Sequence, residues 1–278
     1  VLLFIGIIVV MQAAFWLLPR RSFSENEKRV LSEAPQIDAA GIADGSVFRS
    51  IESYLSDHFP GRELWVGANA YLENAEGRGA TEDIVRGTDD WLFTAPVSDD
   101  RETLWDNMQA ITTFAEKQSV PVTMMAVPSA GAVVSDKLPA LHLPYPDADL
   151  LEEARRIAGN TLHWVDLYTD FCSAEQPERL YYRTDHHWTT EGAYRAYCLM
   201  MEALGQSSVP HDDFTVEQIT DFYGTSYSKS GLWLTEPDTL ELWTDSDIQA
   251  VTTVYDANRA DPVTREGMFF REYLEDAE

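Results

Sequence analysis

The sequence Asp185-His186-His187-Trp188 places an aspartate, two histidines and a tryptophan side by side. A histidine that acts as a general base directs one ring nitrogen at the reacting hydroxyl, while a carboxylate on the other nitrogen fixes the tautomer and stabilises the imidazolium. Asp185 and His187, two positions apart, can meet this need from a single loop. Trp188 is expected to pack beneath that loop. We therefore predict Asp185 and His187 as the catalytic carboxylate and base of a hydroxyl-activating site.

Two other interpretations of this segment remain open. Asp185 can cap a turn while backbone groups satisfy the histidines, which is a purely structural role. Aspartate and histidine are also metal ligands. The other four histidines are His58, His142, His163 and His211. None of them forms a ligand-like pair, so we predict no metal site, and the absence of nucleotide-binding motifs predicts no cofactor.

The segment precedes the clearest helical pattern of the chain. Apolar residues recur at helical spacing from Thr190 to Leu204, which predicts a helix with a nearly ideal buried face. Either Thr189 or Thr190 can cap its amino end, and Gly205 can close its carboxyl end. The members of the predicted buried face are Ala193, Ala196, Tyr197, Met200, Met201 and Leu204. Residues 185–188 are therefore expected in the loop that enters this helix.

Alternating strand and helix patterns surround the loop. Residues 120–127 (VPVTMMAV) form a nearly continuous apolar run, as expected of a strand covered on both faces in a parallel sheet. A second strand is predicted over 162–167, and helical stripes occupy 104–115 and 151–157. This alternation predicts an α/β domain with a parallel sheet and helices on both faces, where sites form beyond the carboxyl ends of strands.

The chain opens on an uncharged apolar run, residues 1–18, in which Gln12 is the polar exception. About 18 such residues can cross a bilayer core of roughly 30 Å. We predict a transmembrane anchor over 1–19, a polar tether over 20–45 and the α/β domain over 46–278. A cleaved signal peptide and a buried helix are the alternatives for the first segment.

Charge and cysteine content limit the classes of function. Twenty basic residues against 47 acidic ones give a formal net charge of -27. Such a surface repels phosphates, so we expect no nucleic-acid partner. The two cysteines, Cys172 and Cys198, are too few for a disulfide scaffold. Two alternatives remain open for them: a single disulfide between the two, or two buried free thiols.

The segment TDHHWTTEGAY, residues 184–194, resembles the motif that names the DHHW protein family. It is more distantly similar to alginate O-acetyltransferases with an SGNH-hydrolase-like fold. Further matches in the family's order are IESYLSDHFPGRE (51–63), GTDDWLF (87–93), AVPSAGAVVSDKLP (126–139) and FYGTSYSKSG (222–231). Together they span most of the chain after the apolar segment.

The resemblance implies an SGNH-hydrolase-like, flavodoxin-like domain that lies outside the cytoplasmic membrane. In the Asp-x-His-Trp motif of the acetyltransferases, the aspartate orients the histidine and the histidine acts as base. These roles fall on Asp185 and His187, and His186 occupies the variable position.

The resemblance also implies a nucleophilic serine in a Gly/Lys-Asp-Ser block well downstream of the motif. No such block lies between His187 and Glu278, so we expect a fragment, truncated at its carboxyl end, whose missing part carries the serine. Two internal serines are weaker candidates. Ser226 lies in a Gly-Thr-Ser turn, and Ser129 follows the apolar strand.

These inferences predict an extracytoplasmic serine-esterase-like protein that acts on acetyl esters of a cell-envelope or exported polysaccharide. With water as acceptor the reaction is ester hydrolysis, and with a sugar hydroxyl it is O-acetyl transfer. The expected partners are the polysaccharide or acyl-ester substrate and, through the amino-terminal helix, the membrane. The alternative is a non-catalytic scaffold or carbohydrate-binding component of an envelope complex.

Overall fold

The computed structural model describes residues 2–77, 80–81, 83–245, 250–255 and 262–269. The helices are α1 (Leu2–Leu17), α2 (Ala39–Asp44), α3 (Ser46–Asp57), α4 (Arg62–Ala75), α5 (Arg101–Glu116), α6 (Ala130–Val133), α7 (Asp147–Ala158), α8 (Leu167–Cys172), α9 (Thr190–Ala203) and α10 (Thr225–Ser230). The strands are β1 (Phe23–Ser24), β2 (Arg29–Val30), β3 (Ala80–Thr81), β4 (Ile84–Arg86), β5 (Leu92–Thr94), β6 (Thr123–Met125), β7 (His163–Val165), β8 (Thr215–Phe222), β9 (Asp238–Thr244), β10 (Val251–Val254) and β11 (Val263–Glu266).

Strands β6 and β7 pair in parallel, with Met124 opposite Trp164. Because successive strand residues point to opposite faces, Met124 packs among the residues of α5 and α7. Met125 packs instead against the main core, to which α6 and α8 contribute. Helices thus cover both faces of the parallel pair, as an α/β layer arrangement requires.

The parallel sheet is smaller than the sequence suggests. Among the described residues it contains two strands, and β6 has three residues where the apolar run 120–127 predicted a longer strand. Pro121 and Pro128 lie on either side of β6. Proline has no N–H to donate to a ladder, which accounts for the shortened strand. The remaining described sheets, β1–β2, β3–β4–β5, β8–β9 and β10–β11, are antiparallel.

The main core lies under the loop of residues 185–188. Phe171 and Val134 are fully buried there, and the Trp91 and Phe93 rings from the β5 segment stack with centroids 5.4 Å apart. Trp188 packs against this cluster, with its ring centroid 6.4 Å from that of Phe171. The tryptophan therefore fixes the loop to the core, as predicted.

Helix α9 begins as the sequence predicts but buries less of its surface. Thr189 is the amino cap, and its Oγ1 accepts a hydrogen bond from Gly192 N at 3.1 Å. A side chain at Gly192 would overlap the Leu180 carbonyl oxygen, so this glycine lets the helix approach the core. Gly192 and Ala196 are the buried positions of α9, whereas the predicted core residue Leu204 is 51% exposed. Leu199 also packs against the core, whereas most of the other residues of α9 are half-buried.

The apolar amino-terminal run folds as α1, which has 16 residues. It ends ahead of Pro19, since the residue before a proline disfavours helical geometry. No described helix has both the length and the apolar character that crossing a membrane requires. The predicted anchor over 1–19, whose first residue lies outside the described part, is therefore not confirmed.

The segment predicted as a polar tether contacts α3 and α4. The β1–β2 hairpin carries Arg29, whose Nη1 lies 3.0 Å from Oδ2 of Asp57, and Glu27 pairs with Arg62. Hydrogen bonding by Arg29 holds the pKa of the Asp57 carboxyl well below its usual range. The boundaries at residues 20, 45 and 46 stay predictions.

The two cysteines are free thiols. Cys172 is exposed and Cys198 is half-buried. The alternative of two free thiols is therefore confirmed in place of a bridge, but the prediction that both thiols are buried is wrong.

Asp238, at the start of β9, clamps the backbone that leads into the loop. Its Oδ2 accepts hydrogen bonds from Thr184 N at 2.8 Å and Thr184 Oγ1 at 2.6 Å. Its Oδ1 accepts from Arg183 N at 3.1 Å and Arg183 Nε at 3.4 Å. Thr184 is completely buried. A single carboxylate thus satisfies four donors just before Asp185.

Replacing Asp238 with asparagine should destabilise the fold. The asparagine amide keeps one acceptor oxygen, but its NH2 group faces donors that the carboxylate accepted. If that group faces Thr184, the buried N–H and hydroxyl of Thr184 lose their acceptor. The expected cost is about 1–3 kcal/mol in the free energy of unfolding. Urea unfolding measures this cost. The matched control is Asp212→Asn, whose side chain is fully exposed and should change the free energy by less than about 0.5 kcal/mol. Equal urea midpoints for Asp238→Asn and Asp212→Asn would show that the hydrogen bonds of Asp238 do not stabilise the fold.

Candidate active site

The candidate site lies at the tip of a short hairpin-like turn. Tyr181 and Trp188 form an antiparallel bridge, and Thr189 N donates to Leu180 O at 2.9 Å. Tyr182 N donates to His187 O at 3.3 Å. These backbone bonds close the turn and leave residues 183–186 between its two arms.

Asp185 and His187 are joined by two hydrogen bonds. Oδ1 of Asp185 lies 2.5 Å from Nδ1 of His187 and accepts from His187 N at 2.9 Å. A carboxylate on Nδ1 favours the tautomer with the proton on Nδ1, which leaves the Nε2 lone pair available. The His187 side chain is 63% exposed, so the ring points away from the core. This is the geometry of an oriented general base.

The Asp185 carboxylate is buried and fully hydrogen-bonded. Its Oδ2 accepts from Thr225 N at 2.6 Å and from Thr225 Oγ1 at 2.9 Å, in addition to the two bonds from His187. Burial by itself would raise the pKa of Asp185, but the hydrogen bonds from Thr225 and His187 outweigh it and lower the pKa below its ordinary value. Asp185 is therefore ionised at neutral pH.

The start of α10 fits closely against this carboxylate. A Cβ on Gly224 would overlap the Asp185 side chain, so only glycine allows the backbone to approach this far. Gly224 N donates to Thr184 Oγ1 at 3.0 Å, and Tyr227 N donates to Thr184 O at 3.0 Å. The segment 224–227 is thereby bonded to both Thr184 and Asp185.

His186 lies beside the pair without joining it. Its Nδ1 is 2.8 Å from Thr225 Oγ1, and its ring centroid is 3.8 Å from that of His187. One potential ligand atom from each of Asp185, His186 and His187 lies within 4.8 Å of the others. Of the described residues, these are the ones grouped closely enough to hold a metal ion.

Neither candidate serine forms a side-chain hydrogen bond with His187 or with any other described residue. Ser226 is 1% exposed and directly follows Thr225, which is bonded to Asp185. Ser129 donates its backbone N–H to Asp147 Oδ1 at 2.6 Å. Both serines stay candidates for the nucleophile.

The His187 side chain is 63% exposed. A cleft of about 300 Å³ lies behind the turn, with Tyr182, Arg183 and Asp238 among its lining residues. Neither Asp185 nor His187 lines this cleft.

The residues that hold the pair were missed in the sequence. Thr225 was passed over in favour of its neighbour Ser226, although a glycine followed by a hydroxyl residue at a helix start is a usable signal for a close backbone approach. Thr184 and Asp238 carried no such signal, because their contact joins positions 54 residues apart.

Comparison with known proteins places this geometry in a family. Residues 84–253 match the family model described as "SGNH hydrolase-like domain, acetyltransferase AlgX". Over 223 residues the chain is 28% identical to the "Probable alginate O-acetylase AlgJ" of Pseudomonas syringae, an alignment that covers 74% of this chain and 52% of that protein. The chain spans about half the length of the curated relatives it matches.

The fold is shared with a solved structure. Bacillus cereus PatB1 is 18% identical, with a TM-score of 0.54 and coverage of 70% of this chain and 68% of that chain. A DHHW family protein from Eubacterium siraeum is 24% identical, with a TM-score of 0.49 and coverage of 61% of this chain and 55% of that chain. The family model takes in the turn with Asp185 and His187 and the segment with Thr225. The chain therefore belongs to the family of SGNH hydrolase-like domains typified by the acetyltransferase AlgX.

Proposed function

We propose that Asp185 and His187 are the orienting carboxylate and the general base of an acyl-transfer site that acts on acetyl esters of a polysaccharide. The observation that carries the proposal is the 2.5 Å contact between Asp185 Oδ1 and His187 Nδ1, which leaves Nε2 of an exposed ring available. Such a base accelerates proton transfer when it lies within hydrogen-bonding reach of a hydroxyl.

In the proposed reaction, His187 Nε2 takes the proton of a serine hydroxyl while the serine oxygen attacks the acetyl carbonyl. The ionised Asp185 stabilises the imidazolium that forms. The imidazolium then gives its proton to the departing alcohol, which leaves an acetyl-serine. A second hydroxyl, deprotonated in turn by Nε2, attacks the acetyl carbonyl, and the imidazolium returns its proton to the serine oxygen as the bond between serine and acetyl group breaks. Water in this role gives an esterase, and a sugar hydroxyl gives an O-acetyltransferase.

The nucleophile is not assigned to any described residue. The hydroxyls of Ser226 and Ser129 are enclosed and form no hydrogen bond with a described residue. We propose that a serine elsewhere in the protein approaches Nε2 of His187. Backbone or side-chain donors must also stabilise the oxyanion, and the described residues around His187 do not identify them.

The substrate class rests on relatives. The "Probable alginate O-acetylase AlgJ" proteins and the "Alginate biosynthesis protein AlgX" of Pseudomonas aeruginosa all carry alginate in their names. We accordingly propose a hydroxyl-rich exported polysaccharide as the acceptor or substrate.

The second candidate function, a non-catalytic polysaccharide-binding or scaffold role, is favoured by one observation: the His187 side chain is 63% exposed.

The substitution His187→Ala should lower acetyl transfer by the full-length protein about 10²- to 10⁴-fold, the usual contribution of a general base. The assay follows acetyl release from p-nitrophenyl acetate and acetyl incorporation into deacetylated alginate. A sulfonyl fluoride should label one serine in the native protein and fail to label it in the variant, and mass spectrometry of the labelled peptide identifies the nucleophile.

The matched control for this experiment is His142→Ala. His142 is exposed and forms its ring hydrogen bond with the adjacent Leu143 carbonyl, so its loss should leave both activity and labelling unchanged. Undiminished activity of His187→Ala would remove this histidine from the reaction. No labelled serine and no turnover in the native protein would favour the scaffold role.

We also propose an extracytoplasmic location, which rests on the resemblance to acetyltransferases whose domains lie outside the cytoplasmic membrane. Protease added to intact spheroplasts should then degrade the domain while a cytoplasmic marker protein survives. Degradation only after detergent lysis would contradict the proposed location.

A further inference from the structure

His186 has no part in the proposed reaction, yet it lies directly against the base. Its side chain is 47% exposed, and its ring centroid is 3.8 Å from that of His187 with 38° between the planes. An exposed histidine with no catalytic duty ordinarily extends into solvent. Here two imidazoles are held in contact at the tip of a turn, with their planes tilted.

Both rings are fixed through the same nitrogen. Nδ1 of His187 contacts Asp185 Oδ1 at 2.5 Å, and Nδ1 of His186 contacts Thr225 Oγ1 at 2.8 Å. No described residue forms a hydrogen bond with Nε2 of either ring. Because Asp185 and Thr225 are bonded to each other, the two rings share one rigid support, with both Nε2 atoms left open.

This arrangement suits a late first-row divalent cation. Neutral imidazole nitrogen is a good ligand for Zn²⁺, Cu²⁺ and Ni²⁺, and metal-binding histidines commonly hydrogen-bond their other nitrogen to a carboxylate that orients the ring. Two Zn–N bonds of about 2.0–2.1 Å at a tetrahedral angle place the nitrogens about 3.3 Å apart. The ring centroids of His186 and His187 are 3.8 Å apart, which is close to that separation, so both rings can reach one cation.

We infer that His186 and His187 form a surface site for Zn²⁺ or a similar cation, with both Nε2 atoms as ligands and water in the remaining positions. Asp185 is not a ligand in this site, because its oxygens already accept four hydrogen bonds. Its role is to orient His187 from behind.

Occupation of the site has a consequence for the reaction. A cation on Nε2 of His187 takes the lone pair that would accept the hydroxyl proton, so the metal inhibits acetyl transfer. This consequence rests on the proposed function, whereas the binding itself does not. The site would make the activity sensitive to divalent metal, with His186 as the residue that confers the sensitivity.

Isothermal titration of the full-length protein with Zn²⁺ tests the binding. Excess Mg²⁺ is present throughout, because this hard cation prefers oxygen ligands and occupies carboxylate sites on a chain with 47 acidic residues. We expect one strong Zn²⁺ site per chain. His186→Ala should weaken it at least tenfold, equivalent to about 1.4 kcal/mol, and Asp185→Asn should weaken it about 10- to 100-fold by loss of ring orientation.

The matched control is His142→Ala, which removes an exposed histidine from another loop and should leave the strong site intact. Circular dichroism verifies that the variants are folded. Equal Zn²⁺ affinity in the native protein and in His186→Ala would overturn the site, as would loss of the strong site in His142→Ala.

The two proposals fail separately. Strong Zn²⁺ binding with no acetyl transfer in any variant would leave the metal site standing and end the catalytic proposal. If acetyl transfer depends on His187 but the protein binds no Zn²⁺ strongly, the catalytic proposal stands and the metal site is overturned.

Discussion

The buried carboxylate of Asp185 is the interaction on which the site depends. A charge removed from water is costly unless hydrogen bonds replace its hydration. Here Thr225 and His187 each contribute two donors, and together they lower the pKa of Asp185 despite its burial. Because the carboxylate is ionised and immobile, the His187 ring has one preferred tautomer and one preferred orientation.

Residues from several elements of the fold hold that carboxylate in place. Asp238 fixes Thr184 from one side, and Thr184 in turn receives the backbone N–H of Gly224. Gly224 brings Thr225 against Asp185, and Trp188 anchors the opposite arm of the turn on the core. Residues from β9, α10 and the entrance of α9 therefore meet at one turn. A rigid support of this kind is what a catalytic base requires.

The sequence was most informative where the contacts are local. Asp185 and His187 are two positions apart, so their pairing could be expected from spacing, and the Thr189 cap predicted the start of α9. Thr225 and Asp238 reach the turn from positions about 40 and 55 residues away, and a single sequence carries no record of such contacts. The sheet was overestimated because apolar runs do not show how many strands pair. The core face of α9 was overestimated because periodicity does not reveal which turns meet a partner.

The tautomer of His187 tests the central claim most directly. Nitrogen-detected NMR of histidine-labelled protein at neutral pH, with His187→Gln to identify the signal, distinguishes the two tautomers. The account predicts a His187 ring protonated at Nδ1, with that proton in a strong hydrogen bond, and loss of this form in Asp185→Asn, where the amide can impose the wrong tautomer. A His187 ring protonated at Nε2 in the native protein, or one that is unchanged by Asp185→Asn, would contradict the account.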